Sequence, residues 1–497
     1  MPKRSKAKGD RVIGIGEKTV AFVSLGCPKN LIDSERMLGL LAADGFAITA
    51  DHEHADTIVI NTCGFLEASK TEAIEVIREA LEHKANAVRA GREKRVVVAG
   101  CLVQRQRANL LNEVPEVDAL VGVFDRENIV AAVRGAPRDA SSPDMGNFHP
   151  VTKFISKHDR SRKGYFEADD SRLRLTPRHY AYLRISEGCN QGCTFCTIPS
   201  IRGRMRSKPL ENILAEAREL VADGVFELNL IGQDTTSYGA DIDYSGPGKG
   251  LVGLLREMSA QSGAGWIRLM YAYPSCFTDD MIRAMADAER VVKYIDMPLQ
   301  HINDAILHAM RRKVTRKQIE TLLMKLRRSM ADISIRTTLI TGFPGETDAQ
   351  HRELVKFVED FGFDCLGVFE YSPEPGTPAG RLWETNRVDQ GTVAERYDQL
   401  MRAQQKVVLA KNQSMIGREL SVLIDRVNRV ERSAVGRHSG QAPDIDGQVL
   451  IRDIKAVPGE LVQIKVDDFS GYDLLGRRIR TLRSGRSLTS SLPVIGH

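Results

Sequence analysis

Three cysteines fall within eight residues in the stretch SEGCNQGCTFCTIPSIRG (186–203): Cys189, Cys193 and Cys196, spaced Cys-x3-Cys-x2-Cys. Thiolates are ligands for soft or borderline metals. A structural zinc site takes four ligands, typically as two separated pairs. A bacterial ferredoxin run carries a fourth cysteine followed by proline. Neither pattern is present here. Three close cysteines can hold three irons of a four-iron–four-sulfur cluster and leave the fourth iron open.

An open iron accepts a small chelating molecule, and the amino and carboxylate groups of S-adenosylmethionine suit that position. The loop follows the strand-like run AYLRIS (181–186). On a βα barrel this is the C-terminal face, where active sites form. Phe195, between the last two cysteines, is placed to shield a cluster from water.

Three further cysteines, Cys27, Cys63 and Cys101, are far apart in sequence, yet each ends an apolar run: VSLGC, INTCG and VAGCL. In an open parallel sheet the strand C-termini line one crevice, so these thiols are expected to converge as well. Gly26, Gly64 and Gly100 flank them and allow close backbone approach. Cys276 and Cys365 have no such company and read as core.

The elements that must position these residues follow from periodicity. The runs TVAFVSL (19–25), DTIVIN (56–61), RVVVAG (95–100) and DALVGVF (118–124) are near-continuous, as in parallel strands buried on both faces. Helical patterns at 31–44 and 66–88 alternate with them, which predicts an open α/β domain over 18–135. Residues 136–175 are polar and weakly periodic and read as a linker with a short strand or two.

From 176 to 413, six strand candidates alternate with helices: AYLRIS, FELNLIG (226–232), WIRLMYAY (266–273), KYIDMPL (293–299), ISIRTTLITG (333–342) and CLGVFEYS (365–372). Six units suit a partial (β/α)6 barrel rather than a closed eight-fold one. A long polar helix (395–417) leads to 414–485, where ELSVLIDRV, GQVLIRD and ELVQIKVDDF predict a small β-barrel. The ends, 1–17 (basic) and 486–497, read as tails.

The 497 residues carry 42% hydrophobic and 27% charged side chains and a net charge of +5, ordinary for a soluble protein. No apolar run approaches the roughly 18 residues of a membrane span, and no apolar segment of a secretory signal follows the basic N-terminus. Eight cysteines without an export signal argue for metal or redox chemistry in a reducing cytoplasm rather than a disulfide scaffold.

Two three-cysteine sites followed by a small β-barrel resemble the radical S-adenosylmethionine methylthiotransferase family over roughly residues 18–485. The resemblance implies an N-terminal methylthiotransferase domain, a radical barrel and a TRAM domain. It implies two 4Fe–4S clusters, one held by Cys189, Cys193 and Cys196, the other by Cys27, Cys63 and Cys101. The first, when reduced, cleaves S-adenosylmethionine to a radical that abstracts hydrogen; the second holds the sulfur to be inserted; a second S-adenosylmethionine donates the methyl group. A C–H bond becomes C–S–CH3.

Within the family, SLGCPKN (24–30) and LIGQDTTSYG (230–239) resemble the branch acting on an aspartate of ribosomal protein S-twelve. The branch that modifies transfer-RNA adenosine usually shows Gly-Cys-Gln-x-Asn and Gln-Asn-Val at these places; PEPGTPA (373–379) is similar to that alternative. Residues 418–480 hold 11 Lys+Arg against 10 Asp+Glu, without the basic excess of an RNA-binding barrel. The expected partners are S-twelve or the small ribosomal subunit, a flavodoxin- or ferredoxin-type reductant and a sulfur donor, with no membrane.

Other expected cofactor contacts lie at barrel strand ends: Gly232, Gln233 and Asp234; Pro298, Gln300 and His301; and Gly342 in TGFPGET (341–347). Arg202 and Arg204 are candidates to pair with a carboxylate of cofactor or substrate. Lys29 and Asn30, beside Cys27, are candidates to help place the inserted sulfur.

Overall fold

The computed structural model describes residues 18–135, 151–156, 169 and 171–485; both expected tails and most of the expected linker lie outside them. The first sheet is six-stranded and all parallel, in the order β2-β1-β3-β4-β5-β6. Its strands are β1 (Thr19–Ser24), β2 (Ala47–Thr49), β3 (Thr57–Thr62), β4 (Arg95–Gly100), β5 (Ala119–Val121) and β6 (Thr152–Phe154). Successive side chains on a strand point to opposite faces, so each continuous apolar run feeds two cores. Ile58, Ile60, Val96 and Val98 pack on one side with α2 (Glu67–Arg89), while Val59 and Val97 pack on the other with α1 (Pro28–Ala43). β2 and β6 are edge strands of three residues each, and β6 lies within the stretch read as a linker. Residues 171–175 run along α1, where Leu173 N donates to Glu35 O at 3.0 Å and Leu175 N to Glu35 Oε1 at 2.9 Å.

A second six-stranded parallel sheet follows. It contains β7 (Tyr180–Arg184), then, after the small pair β8 (Ser186–Glu187) and β9 (Arg206–Ser207), β10 (Glu227–Ile231), β11 (Trp266–Leu269), β12 (Val291–Asp296), β13 (Ser334–Thr341) and β14 (Cys365–Glu370). The order is β14-β13-β12-β11-β10-β7, with β7 and β14 as unpaired edges, so the barrel is partial as the strand count predicted. Aliphatic residues such as Leu183, Leu228 and Leu269 pack toward the helices. The alternate residues are unusually polar for a barrel interior and pair with one another, as in Arg268 Nε donating to Glu227 Oε1 at 2.8 Å.

The C-terminal segment is a closed five-stranded barrel, β15-β16-β17-β19-β18: β15 (Glu419–Asn428), β16 (Ser433–His438), β17 (Val449–Ile451), β18 (Leu461–Ser470) and β19 (Asp473–Arg483). β16 and β19 have no clear sequence signal: SAVGRH is short, and DLLGRRIRTLR carries four arginines. This barrel docks against the N-terminal ends of the radical-barrel strands. His179 pairs with Asp425 at 2.8 Å, Arg437 with Glu227 at 2.7 Å, and Tyr294 donates to Asp446 at 2.8 Å. Among the described residues, no helix is long and apolar enough to cross a membrane.

Candidate active site

The sheet ends assemble the dispersed cysteines. Cys27 follows β1 and precedes α1, Cys63 follows β3, and Cys101 follows β4 as the first residue of α3 (Cys101–Gln106). Backbone approach here is so close that side chains are excluded. A Cβ on Gly26 (φ +90°) would lie 2.8 Å from Cys63 Cβ, and one on Gly100 (φ +98°) 2.2 Å from Asn61 Oδ1. Burial pushes the Cys101 thiol up to about 12, and the neighbouring Cys27 and Cys63 add to the rise against the pull of Arg202. Burial also raises Cys63, with Cys27 adding to it. Metal binding takes cysteine in its thiolate form.

The second set sits on the loop between β8 and α5, where α4 is Ile129–Arg134 and α5 is Ile198–Ile201. Burial drives Cys189 to about 11 and Cys196 to about 12, and in both cases Cys193 raises the value further. The loop is tied down at several points. Gln191 Nε2 donates to Asp234 Oδ2 at 2.6 Å, and Thr194 N donates to Met310 O at 3.1 Å. Phe195 packs beside Phe343, Met310 and Tyr371, which is where a water shield belongs. Cys276 lies 3.5 Å from Gln191 Nε2, close to this loop.

One buried arginine reaches each set. Arg202 is 2% exposed. It donates to Cys101 Sγ at 3.1 Å and to Glu187 Oε1 at 3.1 Å, and pairs with Asp33 at 2.8 Å. It therefore starts on the radical loop but ends at the other cysteine set, and the carboxylates it pairs with are the protein's own Glu187 and Asp33 rather than a cofactor's or substrate's. Arg204 is exposed. Arg312 lies 3.6 Å from Cys193 Sγ and 4.1 Å over the Tyr273 ring, whose hydroxyl is also 3.6 Å from Cys193 Sγ. Arg312 and Tyr273 have no signal in the sequence, because their partner is 119 and 80 residues away.

The expected cofactor contacts divide. Ser186 Oγ, Gln233 Oε1, Gln300 Oε1, Thr341 Oγ1 and Tyr371 OH are buried without a hydrogen-bond partner among the described residues. They sit at or near the C-terminal ends of five barrel elements, next to the cysteine loop. Gly232 keeps this floor thin, since a Cβ there would lie 2.5 Å from Ser186 Oγ. Buried polar atoms are rarely left unpaired, so this ring fits a polar cofactor such as S-adenosylmethionine.

Asp234 and His301 serve the scaffold instead. Asp234 Oδ1 accepts from Thr236 N at 3.1 Å, and Oδ2 from Gln191 and from Ser237 Oγ at 2.7 Å. His301 is fully buried, with Nε2 3.2 Å from Glu346 Oε1 and Nδ1 accepting from Asn303 N at 3.0 Å. Gly342 (φ +75°) donates its N–H to Glu346 Oε2 at 2.5 Å. Burial raises the Glu346 carboxyl, but hydrogen bonds from His301 and His351 outweigh it and hold the group at about 2. Pro298 offers its carbonyl to Arg312.

A buried ionic network runs from Cys101 through Arg202 to Glu187, two residues before Cys189. Arg184, fully buried, pairs with Asp33 at 2.7 Å and Glu187 at 2.5 Å, and Asp169 receives Arg184 and Lys208. Glu374, in the PEPGTPA loop, pairs with Arg105 of α3 at 2.7 Å. That motif thus fastens the first sheet to the barrel. Beside Cys27 a cavity of about 1570 Å³ runs past Tyr182 and Tyr271 to Asp444 and Arg426 of the C-terminal barrel.

Among the described residues, no three His, Cys, Asp or Glu are arranged around a single metal ion. The donor chemistry that is present is two sets of three mutually coupled thiols, each with a buried arginine. This fits all-sulfur polynuclear iron centres, which are held by cysteine thiolates.

Family comparisons divide the chain into the same three parts. Residues 19–122 match the uncharacterized protein family UPF0004, residues 183–358 the radical SAM superfamily, and residues 416–479 the TRAM domain. The superfamily brings with it a 4Fe–4S cluster and S-adenosylmethionine. The chain is 43% identical over 465 residues to the ribosomal protein uS12 methylthiotransferase RimO of Geobacter sulfurreducens, covering 93% of this chain and 99% of that one. It is 42% identical over 462 residues to the RimO of Bdellovibrio bacteriovorus, covering 92% and 97%. The radical S-adenosylmethionine methyltransferase TsrM of Kitasatospora setae shares the fold, with a TM-score of 0.51 at 15% identity over 74% of each chain. With relatives this close along nearly its whole length, the chain belongs to the RimO family of radical SAM methylthiotransferases.

Proposed function

We propose that this protein converts a C–H bond at the β-carbon of an aspartate of ribosomal protein uS12 into C–S–CH3, using two 4Fe–4S clusters. The observation that carries the reading is the pair of three-thiol sets, with Arg202 of the radical loop donating to Cys101, in a chain 40–43% identical to uS12 methylthiotransferases over more than nine-tenths of its length. When bound, the clusters and S-adenosylmethionine supply the hydrogen-abstracting radical, the sulfur and the methyl group.

The chain's own residues divide the remaining work. Cys189, Cys193 and Cys196 hold one cluster, with Arg312 and Tyr273 steadying Cys193. Ser186, Gln233, Gln300, Thr341 and Tyr371 offer the open hydrogen-bonding positions to the cofactor. Cys27, Cys63 and Cys101 hold the second cluster, with Arg202 donating to Cys101. The cavity beside Cys27 exceeds the 300–1,000 Å³ typical of small-molecule pockets, which suits entry of a polypeptide loop. A flavodoxin- or ferredoxin-type reductant, a sulfur donor and a cytoplasmic setting alongside ribosomes complete the reading.

The test is mass spectrometry after anaerobic reconstitution with iron and sulfide, followed by reductant and S-adenosylmethionine. A methylthio mass gain on an aspartate of uS12, absent with Cys189→Ala, is the expected result. A gain on prenylated or threonylcarbamoylated transfer RNA alone contradicts the substrate assignment.

A further inference from the structure

Lys29 is a buried cation that the scaffold leaves unpaired. It is 7% exposed. Its Nζ lies 2.9 Å from the centroid of the Tyr271 ring. Among the described residues, no carboxylate forms an ion pair with it and no acceptor takes its hydrogen bond. The negative groups around it are Cys27, Asp296 and Glu187; Cys27 is given to a cluster, and the two carboxylates are committed elsewhere. Asp296 binds Arg336 at 2.9 Å and the Tyr271 N–H at 3.2 Å, while Glu187 binds Arg184 and Arg202.

Two features make the position more demanding still. Lys29 occupies the first turn of the 16-residue helix α1, which carries no acidic residue there and no side-chain cap. A cation at a helix N-terminus opposes the macrodipole. Tyr271, which presents the ring, has φ +59°, a conformation that aromatic residues adopt only when the surroundings enforce it. A buried ammonium without a partner is strongly destabilising, and the exposed N–H groups of a helix start themselves attract an anion. With the ring contact as its only bond among the described residues, the ammonium is left able to hold a further negative group that arrives from outside.

We infer that Lys29 binds the side-chain carboxylate of the substrate aspartate and so selects a carboxylate-bearing substrate. The inference rests on the proposed function. Lys29 stands two residues from Cys27, and its charged neighbours include Arg202, which donates to Cys101, and Glu187, two residues before Cys189. The reacting β-carbon must lie between the radical source and the sulfur, and its carboxylate is one bond away. Cys27, Pro28 and Tyr271, the neighbours of Lys29 in sequence and in space, line the cavity beside Cys27, so a loop entering there comes up against the ring that the ammonium covers.

The experiment is a double-mutant cycle on binding. The reconstituted, unreduced protein with S-adenosylmethionine is titrated with uS12, and with uS12 carrying asparagine at the modified aspartate. Lys29→Met and the aspartate-to-asparagine change should each weaken binding about 10- to 100-fold, and the second change should add little once the first is made. Lys29→Arg should recover part of the loss. Iron content and circular dichroism identify a variant that has failed to fold, and the wild-type protein against the two substrates still tests the inference in that event. Equal affinity of the wild-type protein for both substrates overturns it. So does a Lys29→Met loss of the same factor for both substrates. Failure of the proposed function looks different: the wild-type protein then binds neither form of uS12.

Discussion

The two cysteine sets solve one ligand problem by opposite routes. Cys189, Cys193 and Cys196 come from one loop, and chain spacing brings them together. Cys27, Cys63 and Cys101 span 75 residues of sequence and meet because three parallel strands end on one line. The first set depends on local geometry and the second on the whole sheet. Each is completed by an arginine from elsewhere in the fold, Arg312 for one and Arg202 for the other. Arg202 is the point where the routes meet, because it belongs to the radical loop and touches the sheet-end set.

That contrast is broken most severely at the cysteines. Cys189→Ala should reduce both formation of 5′-deoxyadenosine and methylthio product to background. Cys101→Ala should leave 5′-deoxyadenosine formation measurable and remove only the methylthio product. Chromatography of the nucleoside together with mass spectrometry of uS12 separates the two outcomes.

Arg202→Met comes next. It takes one cation from the buried carboxylates of Asp33 and Glu187, which keep Arg184, so the cost falls at the low end of the about 3–5 kcal/mol typical of breaking a buried pair. Denaturant unfolding of the cluster-free protein should show a loss of that size.

The pH dependence of stability gives a smaller effect. Burial is the main cause that lowers His438 to about 4, with Arg268 and Arg437 adding to it. The unfolded imidazole titrates near 6.5. The neutral folded form therefore contributes stability that is fully present above about pH 6.5 and is lost as pH falls toward 4, amounting to on the order of 3 kcal/mol. Melting curves of cluster-free protein should fall across that window, and His438→Gln should flatten the fall. Smallest is Thr347→Ala, which removes the capping box of Asp348–Phe361. A loss of about 1 kcal/mol is expected, read from chemical denaturation.

What the sequence made legible follows the same division. The radical loop was readable from spacing, and the sheet-end set from three apolar runs that each stop at Gly and Cys. The six barrel strands and their open arrangement were readable because each run is continuous and long. The three-residue edge strands β2 and β6 were not, since a run that short carries no periodicity. Charge partners were the least visible part. Arg202 and Cys101 are 101 residues apart, and nothing local announces that they touch. His301 sits in a strand-end loop that looked like cofactor-binding chain, yet its ring is held by Glu346, 45 residues on. Sequence position placed it at the right end of the barrel but did not show which way the imidazole turns.

The central claim is that the two sets hold two separate clusters. Iron quantification with Mössbauer spectroscopy on reconstituted wild-type protein, Cys189→Ala and Cys101→Ala tests it most directly. The account predicts about eight irons per chain in the wild type and about four in each variant, with a different cluster signal surviving in each. About four irons in the wild type, or loss of both signals from either single substitution, would contradict it.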